Sequence, residues 1–225
     1  HELQAARSEL LLPSSSKLVQ RVCLVTLAQA CALPFRRCAM ASAGQLHTVF
    51  IDGEGFLRAF GDSDYGQLGQ ESSTVDGRNS ITPLIINHGM GPVQDVSTSH
   101  DYTAVVLQDG GLAMFGRNHA NERPERVNFG FVQALSVERV ACGHDHVVFL
   151  TSVGEVYGFY SNVNGKLGSG GVLDIRYAKE NPVLVYSEGS CRAVAISCGL
   201  EHTAVLMEDG RLLLCGNNNH YQLGA

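Results

Sequence analysis

The chain has 225 residues, 44% of them hydrophobic and 17% charged, enough to bury a sizeable core in one or two domains. A net charge of −6 at pH 7, with no basic stripe, argues against nucleic acid as a direct partner. Seven cysteines, an odd number without a Cys-x-x-Cys pair, read as free thiols and suit a reducing cytoplasm or nucleus.

Residues 1–16 read as an N-terminal tail. Leu3, Ala6, Leu10 and Leu11 recur there at helical spacing, so a short helix is expected before Pro13 and the serines that follow it. Lys17 to Phe35 leaves three readings open. A lysine, an apolar run and Ala30-Cys31-Ala32 imitate a secretory signal. The other two readings are a separate helix, and a strand over Val22 to Leu27 that belongs to the repeat described next. The run is too short and too interrupted to span a membrane. The chain starts at His1 and stops in mid-pattern, so it is expected to be a piece of a longer polypeptide.

From Ser42 onward one pattern is written four times. The copies run from Ser42 to Gly69, Ser97 to Pro124, Ala141 to Gly168 and Ser197 to Gly224. They align on His47, Tyr102, His146 and His202. Eight residues after each anchor stands glycine: Gly55, Gly110, Gly154 and Gly210. Fourteen after it stand Gly61, Gly116, Tyr160 and Gly216. Three copies close on a shared turn, Gly66-Gln67-Leu68-Gly69, Gly165-Lys166-Leu167-Gly168 and Tyr221-Gln222-Leu223-Gly224. Such a period marks a repeat architecture. Glycine is 25 of the 225 residues, and its fixed repeat positions make it turn chemistry, not low complexity.

Each copy reads as β throughout. In the last, Ala193 to Ser197 is a strand, His202 to Met207 a second and Arg211 to Cys215 a third, with a tight turn at Glu208-Asp209-Gly210. Asp-Gly between two apolar runs is a hairpin signal because glycine supplies the positive φ. A fourth strand is expected from the proline-led segments at Pro83, Pro124 and Pro182, at a sheet edge where a missing N–H is tolerated. Four short antiparallel strands per unit of roughly fifty residues is the plan of a β-propeller blade. Blades stack face to face because a lone blade cannot bury both faces.

The elements Gly199-Leu200-Glu201-His202-Thr203, Asp209-Gly210, Phe60-Gly61 and Gly66-Gln67-Leu68-Gly69 together resemble the regulator of chromosome condensation repeat, over about residues 36–225. The resemblance implies an all-β, seven-bladed propeller of which this chain holds about four blades, with the partial propeller over residues 17–225. The remaining blades are then expected from the parent chain or another subunit. The copies depart from the pattern at Tyr102, Tyr160 and Cys215, and Arg117 to Arg123 replace the closing turn of the second.

The chemistry-bearing residues read as structural. Cys142 and Cys198 share a repeat position with Ala43 and Thr98, which marks a small core slot. His47, His146 and His202 recur once per blade, too far apart around a ring to share one zinc ion. His144-Asp145-His146 is the nearest thing to a ligand triplet, but its histidines stand on a loop and at a strand anchor. No catalytic residue, metal site or cofactor is assigned. The Gly-x-Leu-Gly turns lack the Lys-Ser/Thr ending of a phosphate loop.

The loops after the third strand differ most among the copies and are the candidate partner-binding elements. Tyr65, Arg117, His119, His220 and Tyr221 are the side chains of interest there, since aromatics and arginine dominate binding hot spots. The favoured function is a non-catalytic protein–protein interaction scaffold. The resemblance adds two alternatives: a guanine-nucleotide exchange factor for a small GTPase such as Ran, and the substrate-recognition part of a larger HECT-type ubiquitin ligase or kinase. The inserts Glu71–Ser80 and Gly170–Asn181 lack the strand pattern expected of a stiff exchange-factor wedge. A protein partner is expected in each case, a small GTPase or a ubiquitination substrate included.

Overall fold

The computed structural model describes residues 38–69, 79–86, 89–117, 124–129, 136–169, 182–187 and 191–224. The helix expected in the tail, the three readings of Lys17 to Phe35 including a strand over Val22 to Leu27, residues 71–78 and 170–181 of the two inserts, and His119 lie outside the described residues.

Among the described residues, fifteen short strands form four antiparallel sheets, each from a continuous stretch of chain. The first sheet is β1 (Cys38–Ala43), β2 (His47–Asp52), β3 (Leu57–Asp62) and β4 (Asn79–Ile85). The second is β5 (Val93–Thr98), β6 (Tyr102–Leu107), β7 (Leu112–Gly116) and β8 (Glu125–Arg126). The third is β9 (Val137–Cys142), β10 (His146–Thr151), β11 (Val156–Tyr160) and β12 (Val183–Tyr186). The fourth is β13 (Ala193–Cys198), β14 (His202–Met207) and β15 (Leu212–Gly216). Strand order within each sheet follows the chain. The proline-led strands pair with the third strand of the copy before them, as in Ala59↔Leu84 and Gly158↔Val183. They therefore sit at a sheet edge, where no second neighbour needs the proline nitrogen.

The hairpin between the second and third strands is the same in all four copies. Gly55, Gly110, Gly154 and Gly210 have φ of +85°, +81°, +83° and +86°. Their N–H groups donate to Asp52 O, Leu107 O, Thr151 O and Met207 O at 2.9–3.0 Å. This is a three-residue loop whose last residue is left-handed, the conformation that glycine adopts without penalty. In the first copy Gly55, not Gly53, takes that place. Arg211 O accepts the Met207 N–H to close the fourth hairpin, so β15 starts at Leu212, one residue later than the sequence pattern.

Alternation along the strands builds the core between sheets. Val105 and Leu107 of β6 join Val49, Ile51, Leu57 and Leu68 of the first blade. Ala104 and Val106, on the opposite face, join Val147, Phe149 and Phe159 of the third. Val148 and Leu150 then meet Val205 and Met207 of the fourth. Leu68 and Leu167 of the closing turns are completely buried, which explains the leucine in Gly-x-Leu-Gly.

Polar contacts fasten the blades to each other. His47 Nε2 is 3.0 Å from Thr103 Oγ1, and the Thr103 hydroxyl donates to Gln67 O at 3.0 Å. Its single proton is thus committed, so His47 donates from Nε2–H and its Nδ1 holds a buried lone pair without a partner. The third and fourth blades repeat the motif: His146 Nε2 is 3.0 Å from Thr203 Oγ1, which donates to Lys166 O at 2.8 Å. Gly44 and Gly143 lie flat against these rings, and a Cβ on Gly143 would stand 2.0 Å from His146 Cε1.

The seam between the second and third blades is of another kind. Tyr102 replaces histidine, and its hydroxyl lies 2.8 Å from Gly143 O and 2.9 Å from His146 O, donating to this carbonyl pair. No threonine is needed opposite it, and Val147 stands there. No flat glycine is needed either, and Ser99 takes the place of Gly44, donating to Gly143 O. Tyr160 fills the same seam, with its ring edge-on to Tyr102 at 6.3 Å. It keeps the positive φ of the glycines at its repeat position, 75° against 105–118°. A left-handed tyrosine is strained, and this one is held by burial against Tyr102 and Phe159.

Candidate partner-binding face

One rim of the stacked sheets gathers two loops from every blade, that between the first and second strands and that leaving the third. The same backbone bond ties them in each copy: Asp62 N to Leu46 O, Arg117 N to Asp101 O, Ser161 N to Asp145 O and Asn217 N to Glu201 O, at 2.8–3.0 Å. The first loops converge on an open depression of about 340 Å³, lined by residues 43–45, 98–100, 142–144 and 198–200.

Successive positions of the first loop divide the work. The residue two before the anchor faces the depression: Gln45, His100, His144 and Leu200. The residue just before the anchor is acidic in three copies and grips the outer loop. Asp101 accepts from Arg117 Nη1 at 2.6 Å, Asp145 from Lys166 Nζ at 2.5 Å and Glu201 from Asn217 Nδ2 at 2.6 Å. Burial alone would raise the Asp101 pKa, but hydrogen bonds from His100 and Arg117 outweigh it and hold the carboxyl below its ordinary value. Asp145 behaves alike, its partial burial overcome by Lys166. Both carboxylates are therefore ionised acceptors at neutral pH.

Of the five side chains singled out from sequence, two come together. The Arg117 guanidinium lies 4.5 Å from the centroid of the Tyr65 ring, joining the outer loops of the first and second blades. Both are about half exposed, so part of the stacked pair is open to solvent. A hydrogen bond from its Nη1 anchors Arg117 to Asp101, which is also bonded by His100 Nδ1. His100 in turn meets His144 edge-on, with ring centroids 5.4 Å apart. Tyr65, Arg117, Asp101, His100 and His144 thus form one continuous polar and aromatic chain from the rim into the depression.

The other residues stand apart. His119 lies outside the described residues. His220 and Tyr221 are in the closing turn of the fourth blade, where the His220 N–H donates to Gln222 Oε1 at 2.8 Å. Tyr221 is 80% exposed and has φ of +59°, the position that Gly66 and Gly165 hold in the other closing turns. Sequence reading did not single out Asp101 or His100, and it weighed His144 only as part of a metal-ligand triplet. The signal was present: an acid just before the anchor in three copies, and a variable residue before that.

Cys142 Sγ is 3.5 Å from Ser97 O, and burial pushes its thiol well above the usual range. Cys198 is likewise pushed up to about 12 by burial, so neither is a thiolate at neutral pH. Among the described residues no group of three or more His, Cys, Asp or Glu could hold a metal ion. Among them, too, no helix is long and apolar enough to cross a membrane.

Comparison with known proteins agrees with this architecture. Two models of the regulator of chromosome condensation (RCC1) repeat match residues 193–222 and 153–206. The chain is 30% identical over 196 residues to the RCC1 domain-containing protein RUG3, mitochondrial, of Arabidopsis thaliana, covering 81% of this chain and 42% of that protein. It is 29% identical over 206 residues to the human Regulator of chromosome condensation, covering 82% and 48%. The crystal structure of Prp20p from Saccharomyces cerevisiae, described with its binding to Gsp1p and histones, superposes with a TM-score of 0.68 at 20% identity, over 82% of this chain and 47% of that one. The chain spans less than half the length of these relatives. It carries regulator of chromosome condensation repeats, and its four sheets are blades of a β-propeller of that family.

Proposed function

We propose that the chain is a non-catalytic protein-interaction module whose loop rim holds another protein. The Tyr65–Arg117 stack, pinned by Asp101 at the edge of the axial depression, carries this reading. A half-exposed arginine and tyrosine locked by a carboxylate lose little side-chain entropy on binding, the property of a hot spot. The test compares proteins captured by the immobilised chain with those captured by Arg117→Ala and Tyr65→Ala variants. Partners retained by the parent and lost from both variants, with circular dichroism unchanged, support the reading. A capture profile indifferent to both changes refutes it.

Nucleotide exchange on a small GTPase is the second reading, favoured by the 29% identity to the human Regulator of chromosome condensation. It requires acceleration of labelled GDP release from Ran above the intrinsic rate. The scaffold reading expects no acceleration.

A further inference from the structure

The outer strand of the first blade differs from its counterparts. β8 and β12 begin at Glu125 and Val183, just after Pro124 and Pro182, so each of those prolines only heads its strand. β4 begins at Asn79 and carries Pro83 inside it. A residue without an N–H cannot continue the ladder, and the strand bulges there. Leu84 and Ile85 pair with Ala59 and Arg58, while Asn79 and Ser80 pair with Asp62 and Gly61. Ile81, Thr82 and Pro83 are left together opposite the single residue Phe60. Buried Ser80 donates its hydroxyl proton to Thr82 O at 2.7 Å and so pins the bulge. Ile81 is 81% exposed, and Thr82 beside it is exposed as well. The Thr82 hydroxyl bonds no described residue.

We propose that Thr82 is a phosphorylation site for a proline-directed protein kinase. Three observations converge on it. Thr82-Pro83 is the only Ser/Thr-Pro dipeptide in the chain. The residue before a proline is confined to extended backbone, the form in which a kinase cleft takes its substrate. The bulge has no partner on β3, so it enters such a cleft while the pairs on either side stay closed. In the reaction Thr82 Oγ attacks the γ-phosphorus of ATP. The bond to the bridging oxygen breaks, ADP leaves, and the hydroxyl proton passes to the catalytic aspartate of the kinase. The product carries about two negative charges on a side chain that holds nothing in this blade together. The phosphate is therefore a mark for a partner to read, not a switch of the fold. This site does not rest on the partner-binding reading of the rim.

The test incubates the full chain with magnesium ATP and an active mitogen-activated protein kinase, and locates phosphate by tandem mass spectrometry. Thr82 is expected to carry it, and Thr82→Ala to remove it. Pro83→Ala keeps the hydroxyl and is expected to be phosphorylated at least about tenfold more slowly, the discrimination that one pocket contact supplies. The folded chain is expected to react within about tenfold of the rate of a peptide of residues 77–87, since no strand pair has to open first. The melting temperature is expected to be the same with and without phosphate. An unmodified Thr82, equal rates for Pro83→Ala and the parent, a folded chain about a hundredfold slower than the peptide, or a phosphorylated chain that melts lower each overturns the proposal.

Discussion

The imidazole of His47 is 3.0 Å from the hydroxyl of Thr103, 56 positions along the chain and one blade away. Because that hydroxyl also donates to Gln67 O, one side chain joins the anchor of one blade and its closing turn to the second strand of the next. Thr103→Val keeps the shape and removes both bonds. It is expected to cost about 1–3 kcal/mol, the penalty of leaving a buried donor and acceptor unmet. Urea denaturation measures it, and a change below about 0.5 kcal/mol would show that the seam is held by packing alone.

These histidines make stability depend on pH. Burial, the largest influence, pushes His47 and His146 from 6.5 down to about 4. A folded-state pKa below the unfolded one means that unfolding takes up protons between the two values. The contribution is complete above pH 6.5 and is lost as pH falls toward 4, by about 3 kcal/mol per imidazole. Unfolding free energies between pH 4.5 and 7.5 should rise with pH and then level off. A His47→Gln, His146→Gln chain that kept the parent's slope would disprove the assignment.

Glycine serves two different ends here, and alanine tells them apart. At Gly210, φ is +86° and nothing lies within 4 Å of a new Cβ, so Gly210→Ala costs only backbone strain, about 1 kcal/mol. At Gly143 the new methyl would strike the His146 ring at 2.0 Å. Gly143→Ala should cost clearly more, about 2–3 kcal/mol, and disturb the His146–Thr203 bond. Thermal unfolding of both variants provides the comparison, and equal losses would contradict it.

Tyr221 separates stability from binding. Its left-handed backbone suits glycine, as at Gly66 and Gly165, and its ring is in solvent. Tyr221→Gly is expected to leave the melting temperature unchanged or slightly raised, strain relief of about 1 kcal/mol offsetting the extra chain entropy. A large drop would mean that the ring holds the turn.

Repeats, hairpins and blades were legible in the amino-acid sequence because their causes are local. Alternation sets which strand face is buried, and a left-handed turn residue admits glycine in register, as at Gly55, Gly110, Gly154 and Gly210. The leucines of the closing turns and the structural role of the anchor histidines follow from the same period. Which blade His47 reaches, why Tyr102 goes with Val147 and Ser99, and how Arg117 comes to lie on Tyr65 needed the tertiary structure. Those pairings join residues tens of positions apart, and their partners are chosen by how one sheet lies against the next. No local preference encodes that stacking.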